Sequence, residues 1–191
     1  MITDNEKPVK KKLIFCLTFS GFLFYNTGMN NEDYTCRLPS YDAIPEVGLY
    51  LEQVARFINM SLESYPEMNV TTAMISNYAK QKLIARVSKK TYSRQQIAAL
   101  VMINLAKTVL SIEHVRFLLA DIEKEDPEFE SSYTFFVDTL MQVLASLADN
   151  REVSLASGDQ PQLQQMLQST AVAVAHKMFI NRFFSLRKES Q

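Results

Sequence analysis

The fold is decided by residues 70–84, VTTAMISNYAKQKLI, which predict a short helix over 71–82. Thr71 stands before the first apolar position, and threonine is a preferred N-cap residue. Positions three, four and seven residues apart share one face of a helix. On the first face lie the small and polar side chains of Ala73, Ser76, Asn77 and Lys80. The opposite face offers Met74, Ile75, Tyr78 and Ala79 to a core, so the polar face is predicted to point outward.

The segments that flank this helix complete a small domain. Residues 51–62 carry apolar side chains at helical spacing, and the helix that they predict ends at Tyr65-Pro66. Residues 83–92 show no strong helical pattern and are predicted to form a small hairpin or wing. The middle of the chain therefore has the order expected of a helix-turn-helix followed by a wing.

Further helices are predicted towards the C-terminus. Ser93 followed by Gln96 has the pattern of a capping box, which predicts the start of a third helix, and Ser111 is the predicted N-cap of a fourth. Two more helices are predicted, over about 133–148 and from Pro161 to about residue 186. With only 4 Gly and 6 Pro in 191 residues, the predicted fold class is mainly α.

The charge is distributed unevenly along the chain. The formal net charge is −1, yet residues 68–112 contain no Asp or Glu. The same stretch holds seven basic residues: Lys80, Lys82, Arg86, Lys89, Lys90, Arg94 and Lys107. Concentrated positive charge on one module is typical of a surface that binds phosphate groups.

The predicted site therefore consists of the polar helix face and the basic residues that follow it. Ser76, Asn77 and Lys80 would face bases beside the small Ala73, because short side chains let a helix approach base edges and Asn can pair with adenine. A second set would hold phosphates: Thr71, Thr72, Tyr78, Lys82, Lys89, Lys90 and Tyr92. The predicted partner is double-stranded DNA.

Three stretches resemble the MerR family of winged helix-turn-helix proteins. Residues 70–84 resemble its recognition helix, V-S-x-x-T-L-R-Y-Y-E-x-x-G-L-[IL], and residues 90–93, KTYS, resemble the R-x-Y-S that closes its wing. Residues 110–119, LSIEHVRFLL, are similar to F-S-L-E-E-I-R-E-L-L. The resemblance covers roughly residues 45–122 and implies a MerR-like winged helix-turn-helix. Ser76 replaces the family's arginine and Asn77 its first aromatic residue, so no MerR operator sequence carries over.

A closer resemblance is to a bacterial family known as domain-of-unknown-function family 1836. It rests on residues 44–54, IPEVGLYLEQV, residues 72–78, TAMISNY, and residues 89–93, KKTYS. Because the biochemical role of that family is not established, the resemblance implies a fold more than a function.

Three regions are predicted: an apolar leader over 1–28, the winged helix-turn-helix domain over 29–122, and a helical region over 123–191. The acidic stretch 121–130 marks the second boundary and is predicted to be a solvated linker. Residues 13–25 form an apolar run too short to span a bilayer. Three interpretations of the leader stay open: a start assigned too early, with the protein beginning near Met29, a membrane-targeting segment, or an apolar arm that packs on the core.

The sequence favours a protein that is not an enzyme and uses no cofactor. It has no glycine-rich phosphate loop, nucleophile elbow or H-E-x-x-H motif, and its two histidines, His114 and His176, lie on predicted helices. No cysteine follows Cys36, which excludes thiolate metal sensing beyond the DNA-binding module. No metal site is predicted, and a cytoplasmic location is expected, with membrane association through residues 13–25 as the alternative.

The predicted function is that of a sequence-specific DNA-binding transcriptional regulator. The last helix is apolar on most sides around residues 171–184, which predicts burial by other elements or by a second subunit. A homodimer is therefore expected, and the C-terminal helices are a possible place for an unknown small-molecule effector. The alternative is a protein–protein adaptor that keeps the winged-helix fold without binding DNA, with or without a membrane tether.

Overall fold

The chain folds into six α-helices and one very small sheet in the computed structural model, which describes residue 34 and residues 36–87, 90–155 and 158–189. The helices are α1 (Leu51–Ser61), α2 (Thr72–Lys80), α3 (Arg94–Ala106), α4 (Ile112–Glu125), α5 (Glu130–Ala148) and α6 (Gln162–Glu189). The strands are β1 (Leu49–Tyr50) and β2 (Thr91–Tyr92), and 3-10 turns form at Tyr41–Ala43 and Pro66–Met68. The predicted mainly α fold class is confirmed. The leader over 1–28 lies outside the described residues.

Three helices begin at the caps that the sequence predicts. The Thr71 hydroxyl accepts a hydrogen bond from the Met74 N–H at 3.2 Å, which satisfies a free donor in the first turn of α2. Ser93 and Gln96 form the reciprocal capping box at the start of α3. Ser111 accepts from the His114 N–H at 3.2 Å and begins α4. These starts are local features, which is why they can be read directly from the sequence.

The wing differs from the predicted hairpin. Within 83–92, the described residues form a single strand, β2, and it pairs antiparallel with β1, which precedes α1. Leu49 lies opposite Tyr92, and Tyr50 lies opposite Thr91. A Cβ on the preceding Gly48 would lie 2.8 Å from the Cβ of Thr91, so this close approach requires glycine. The wing strand β2 therefore pairs with β1, which lies before α1, and not with a second strand of the wing.

The connection between α1 and α2 is longer than in a simple helix-turn-helix. It covers residues 62–71, whereas three or four residues are usual. Asn59 of α1 fixes its far end: the side-chain amide donates to the Val70 carbonyl at 3.0 Å and accepts from the Val70 N–H at 2.8 Å. This paired contact sets where α2 begins.

The core is built around α3. Residues 97–106 of this helix are all buried, because α5 and α6 pack on it in addition to the elements of residues 36–92, which we call the first domain. Buried residues from Cys36 to Met178 form one continuous cluster. Asn104 is the only polar member of that buried run; its amide nitrogen donates to the Met68 carbonyl at 2.7 Å. One hydrophobic core therefore joins the first domain to the C-terminal helices.

The C-terminal helices form a hairpin whose apolar side is covered within the chain. Val174 and Met178 of α6 are fully buried, and Phe179 stacks on Tyr34 with ring centroids 4.6 Å apart. Val172 and Phe183 are half-buried. The apolar character of α6 is thus largely explained by packing against its own chain. Among the described residues, no helix is both long and apolar enough to cross a membrane.

The acidic stretch 121–130, predicted to be a solvated linker, consists of the end of α4, a short structured turn and the first residue of α5. The boundary predicted after residue 122 falls inside α4, and the turn that follows is held from three sides. The Asp126 carboxylate accepts from the Ser132 N–H at 2.7 Å, the Tyr41 hydroxyl donates to the Glu128 carbonyl, and Gln95 donates to the Pro127 carbonyl. These bonds tie the start of α5 to the rest of the fold.

Candidate nucleic-acid interface

The polar face of α2 lies on the surface of the protein. Thr71, Ala73, Asn77 and Lys80 are exposed, and Thr72 and Ser76 are half-buried. Ile75 and Tyr78 are the residues that α2 buries, and together they hold the helix on the core. The structure therefore brings the predicted base-facing residues together on one accessible face.

Two tyrosines of the predicted phosphate-binding set are buried. Tyr78 is 5% exposed and Tyr92 is 6% exposed, so neither side chain is part of the surface. Burial raises the pKa of both phenols. Tyr78 lies three residues after the buried Ile75 and so shares its inward face, and the ammonium group of Lys107 lies 5.5 Å from the centre of its ring. Both tyrosines pack mainly in the core, so this burial does not support their predicted role as phosphate contacts, which stays a prediction.

Most of the predicted basic residues stand free on the surface beyond α2. Lys80, Lys82, Arg86 and Lys90 are exposed, and none of them forms an ion pair with another described residue. Lys89 lies outside the described residues. These four described charges lie close together in the sequence and begin in the last turn of α2.

Arg94 and Lys107 do not contribute to this surface charge in the same way. The Arg94 guanidinium lies 3.6 Å from the Asp42 carboxylate and 3.4 Å from that of Glu46, and its Nε donates to the Ile44 carbonyl at 2.8 Å. Burial lowers the pKa of Lys107, which is half-buried at the end of α3. Arg94 holds the segment before β1 in place, and Lys107 packs under α2.

The end of α2 has an unusual backbone. Lys82 has a φ of +58°, in the left-handed region that glycine adopts most readily. The Lys82 N–H donates to the Ala79 carbonyl at 3.1 Å, and the Leu83 N–H donates to the Tyr78 carbonyl at 3.0 Å. This is the Schellman pairing that ends many helices. It turns the basic stretch sharply away from the helix axis.

A comparison with known families identifies the region that contains this surface. The family model described as Domain of unknown function (DUF1836) matches residues 39–136. The chain belongs to this family. The match confirms the resemblance expected from the sequence, and it includes α1 to α4 and the first part of α5. No curated protein and no solved structure matches the chain.

Two residues of the DUF1836 region support the candidate surface although the sequence pattern does not single them out. Asn59 positions the start of α2 through its contacts with Val70. Arg116 of α4 is exposed, and its guanidinium donates to the Gln81 carbonyl at 3.2 Å, so it adds a positive charge beside the end of α2. Both depend on contacts between residues distant in sequence, which no local pattern signals.

The histidines and the cysteine described in the DUF1836 chain lie apart from the candidate surface on α2. His114 and His176 are exposed on α4 and α6. The Cys36 thiol is buried, and burial raises its pKa to about 12, so it stays protonated at neutral pH. Among the described residues, no group of three or more His, Cys, Asp or Glu side chains is placed to hold a metal ion.

Proposed function

We propose that this protein binds double-stranded DNA in a sequence-specific manner and acts as a non-enzymatic transcriptional regulator in the cytoplasm. The observation that carries the proposal is the exposed polar face of α2 together with the unpaired basic residues of 80–90 that follow it. Small and amide side chains suit contact with base edges, and unpaired basic side chains suit contact with phosphates.

In this proposal the exposed face of α2 lies in the major groove, with the middle and last turn of the helix towards the bases. Ser76, Asn77 and Lys80 read base edges, and Asn77 forms a paired contact with adenine. Thr71, Thr72, Lys82, Lys89 and Lys90 contact phosphates, and Arg86 and Arg116 join them because both are exposed near the same end of α2. Phosphate contacts orient the protein, and base contacts give it sequence preference.

A MerR-like winged helix-turn-helix is the fold that we infer for the binding module. The left-handed Lys82 supports this inference, because it occupies the position of the glycine in the MerR pattern V-S-x-x-T-L-R-Y-Y-E-x-x-G-L-[IL]. The pairing of β1 with β2 across the wing is also compatible with it. The long connection between α1 and α2 is a departure from the simple motif.

A homodimer is part of the same proposal. One DNA-binding module offers a contact area of about 600–1,000 Å², and a two-fold protein doubles it on a pseudo-palindromic site. The surface that we assign to the second copy is the exposed stripe of α6, Met166, Ala173, Ile180 and Phe184. Within residues 162–186 the only charged side chains are Lys177 and Arg182, neither of them fully exposed, and charged residues are rare at the centre of interfaces.

Selection from random duplex DNA tests the proposal. We expect a defined sequence to be enriched, and we expect Asn77→Ala to cost about 1–3 kcal/mol of discrimination at one base pair. Lys82→Ala and Arg86→Ala should weaken binding to all sequences and reduce its salt dependence by roughly 0.9 in the log–log slope for each phosphate that is no longer neutralised. Lys124→Ala is the matched control, since this exposed lysine lies at the far end of α4.

The outcome also separates the two functional hypotheses. If no DNA binding appears even at low salt, the adaptor interpretation replaces this one. Sedimentation at micromolar concentration tests the dimer separately: Ile180→Glu should produce monomers, and a wild-type protein that is strictly monomeric would rule out the α6 interface.

A further inference from the structure

A groove of about 540 Å³ lies along α5, on a part of the molecule distant in sequence from the DNA-binding face. Its walls come from α5, from Leu155 in the connection to α6, and from Gln168 of α6. The connection is fixed beside it, because the Gln142 amide donates to the Ser154 carbonyl at 2.7 Å. The groove is therefore formed by three parts of the C-terminal hairpin.

The floor of the groove follows two adjacent rows of α5. Glu130, Thr134, Asp138 and Gln142 are spaced four residues apart and form the first row, and Phe135 and Thr139 belong to the second. The groove thus combines two carboxylates, an aromatic ring and several neutral hydrogen-bonding groups. That mixture suits an organic cation with an apolar body.

The two carboxylates set the length of such a ligand. Glu130 and Asp138 are exposed and form no ion pair with any described residue, so both carboxylates are available to a positively charged ligand. Eight residues of helix separate them, which is about 12 Å along the axis. Two ammonium groups about 12 Å apart, joined by a methylene chain, would place one charge on each carboxylate and the chain over Phe135.

Thr139 gives an independent sign of a ligand. It is only 8% exposed, it lines the groove, and its hydroxyl makes no hydrogen bond within the described part of the chain. A threonine in a helix usually bonds back to the carbonyl four residues earlier, as Thr170 of α6 does to Met166 at 2.8 Å. Thr139 is thus a largely buried residue of the groove wall whose hydroxyl has no described protein partner, and this hydroxyl is not sealed from solvent, so a molecule in the groove can reach it.

We propose that this groove binds a linear organic diammonium ion, of the polyamine class, with its charges on Glu130 and Asp138 and a hydrogen bond to Thr139. The C-terminal hairpin would thus select a ligand with two positive charges about 12 Å apart. The assignment does not depend on DNA binding, and it is tested without DNA.

The test is a titration of the full chain with 1,8-diaminooctane, followed by amide chemical shifts. Saturable shifts are expected for residues 130–142 and for Gln168. 1,3-Diaminopropane should bind more weakly because it cannot reach both carboxylates, and the neutral 1,8-octanediol should not bind. Equal binding of the diol or of the short diamine would overturn the proposal.

Variants complete the test. Asp138→Asn should weaken binding of 1,8-diaminooctane at least about fivefold, since an ion pair at a partly exposed site is removed. Thr139→Val keeps the shape of the side chain and should weaken binding by a smaller factor. Asp121→Asn, an exposed acid on α4, is the control and should leave binding unchanged. An unchanged affinity in Asp138→Asn would exclude the groove as the site.

Discussion

Helices α2 and α3 both lie within the stretch that contains no acidic residue, yet acids are absent from them for different reasons. In α3, residues 97–106 are all buried, and a buried carboxylate would be costly on any side of the helix. In α2, only Ile75 and Tyr78 are buried, and the remaining positions face solvent or the edge of the core. The absence of acids from α3 reflects packing, whereas on α2 it leaves an exposed face without negative charge.

This difference changes the meaning of the charge count. A window of sequence adds exposed and buried residues together, although only exposed charges attract a distant polyanion strongly. Once Arg94 is paired with Asp42 and Glu46, and Lys107 is packed under Tyr78, the exposed positive charge of the acid-free stretch comes, among its described residues, from Lys80, Lys82, Arg86 and Lys90, with Arg116 beside them. The comparison predicts that the two helices respond in opposite ways to the same substitutions.

The largest effect is expected from placing an acid in each helix. Leu100→Glu buries a carboxylate without a partner in α3 and should cost more than about 4 kcal/mol, enough to unfold the protein. Ala73→Glu, on the exposed face of α2, should change stability by less than about 0.5 kcal/mol and abolish DNA binding. Urea unfolding followed by circular dichroism measures the first effect, and a DNA titration the second. Similar stability losses in both variants would contradict the conclusion that α2 is exposed where α3 is buried.

A smaller effect is expected where α2 is positioned by another helix. Asn59→Ala removes both hydrogen bonds to the Val70 backbone and should cost about 1–2 kcal/mol, because Asn59 is only half-buried. The exposed side chains of α2 are unchanged, so any loss of DNA affinity would come from the altered start of the helix. Chemical unfolding gives the cost, and Asn69→Ala, an exposed asparagine in the same connection, serves as the control.

Lys82 allows stability and binding to be separated at one position. Lys82→Gly relieves a left-handed residue and should stabilise the protein by about 0.5–1 kcal/mol, while removing a proposed phosphate contact. We therefore expect a higher melting temperature together with weaker DNA binding. A variant that is stabilised but binds DNA as tightly as wild type would show that the Lys82 ammonium group does not contact phosphate.

The smallest effect concerns the buried side of α2. Burial raises the pKa of Tyr78, so the folded state keeps its phenol neutral at a pH where the unfolded chain ionises. Stability from this group is complete below pH of about 10, the ordinary pKa of tyrosine, and is lost as the pH rises further. Tyr78→Phe should therefore lose less stability between pH 9 and 11 than wild type. Tyr50→Phe, an exposed tyrosine, should follow wild type.

The parts of the fold that depend on neighbouring residues could be predicted from the sequence. Thr71, Ser93 and Ser111 cap helices because their partners lie three residues away. The signal for the complete burial of α3 is also present in the sequence, since Asn104 is the only polar residue in 97–106.

The parts that depend on distant contacts could not be predicted. The pairing of β2 with β1, the clamp of Asn59 on Val70 and the contact of Arg116 with Gln81 join residues from separate elements. Tyr78 is a different case: its spacing from Ile75 placed it on the inward face, although it was also included among the predicted phosphate contacts. Helical periodicity predicted its burial correctly.

The all-round burial of α3 has a consequence for how the protein opens. A helix that is enclosed by the first domain and by α5 and α6 cannot expose its amides by fraying or by the movement of one neighbour. Its amide hydrogens should exchange with solvent deuterons only when the whole molecule unfolds, whereas those of short, surface-lying α2 can exchange through local opening. The slowest-exchanging amides of α3 therefore report the global free energy of unfolding of the entire chain.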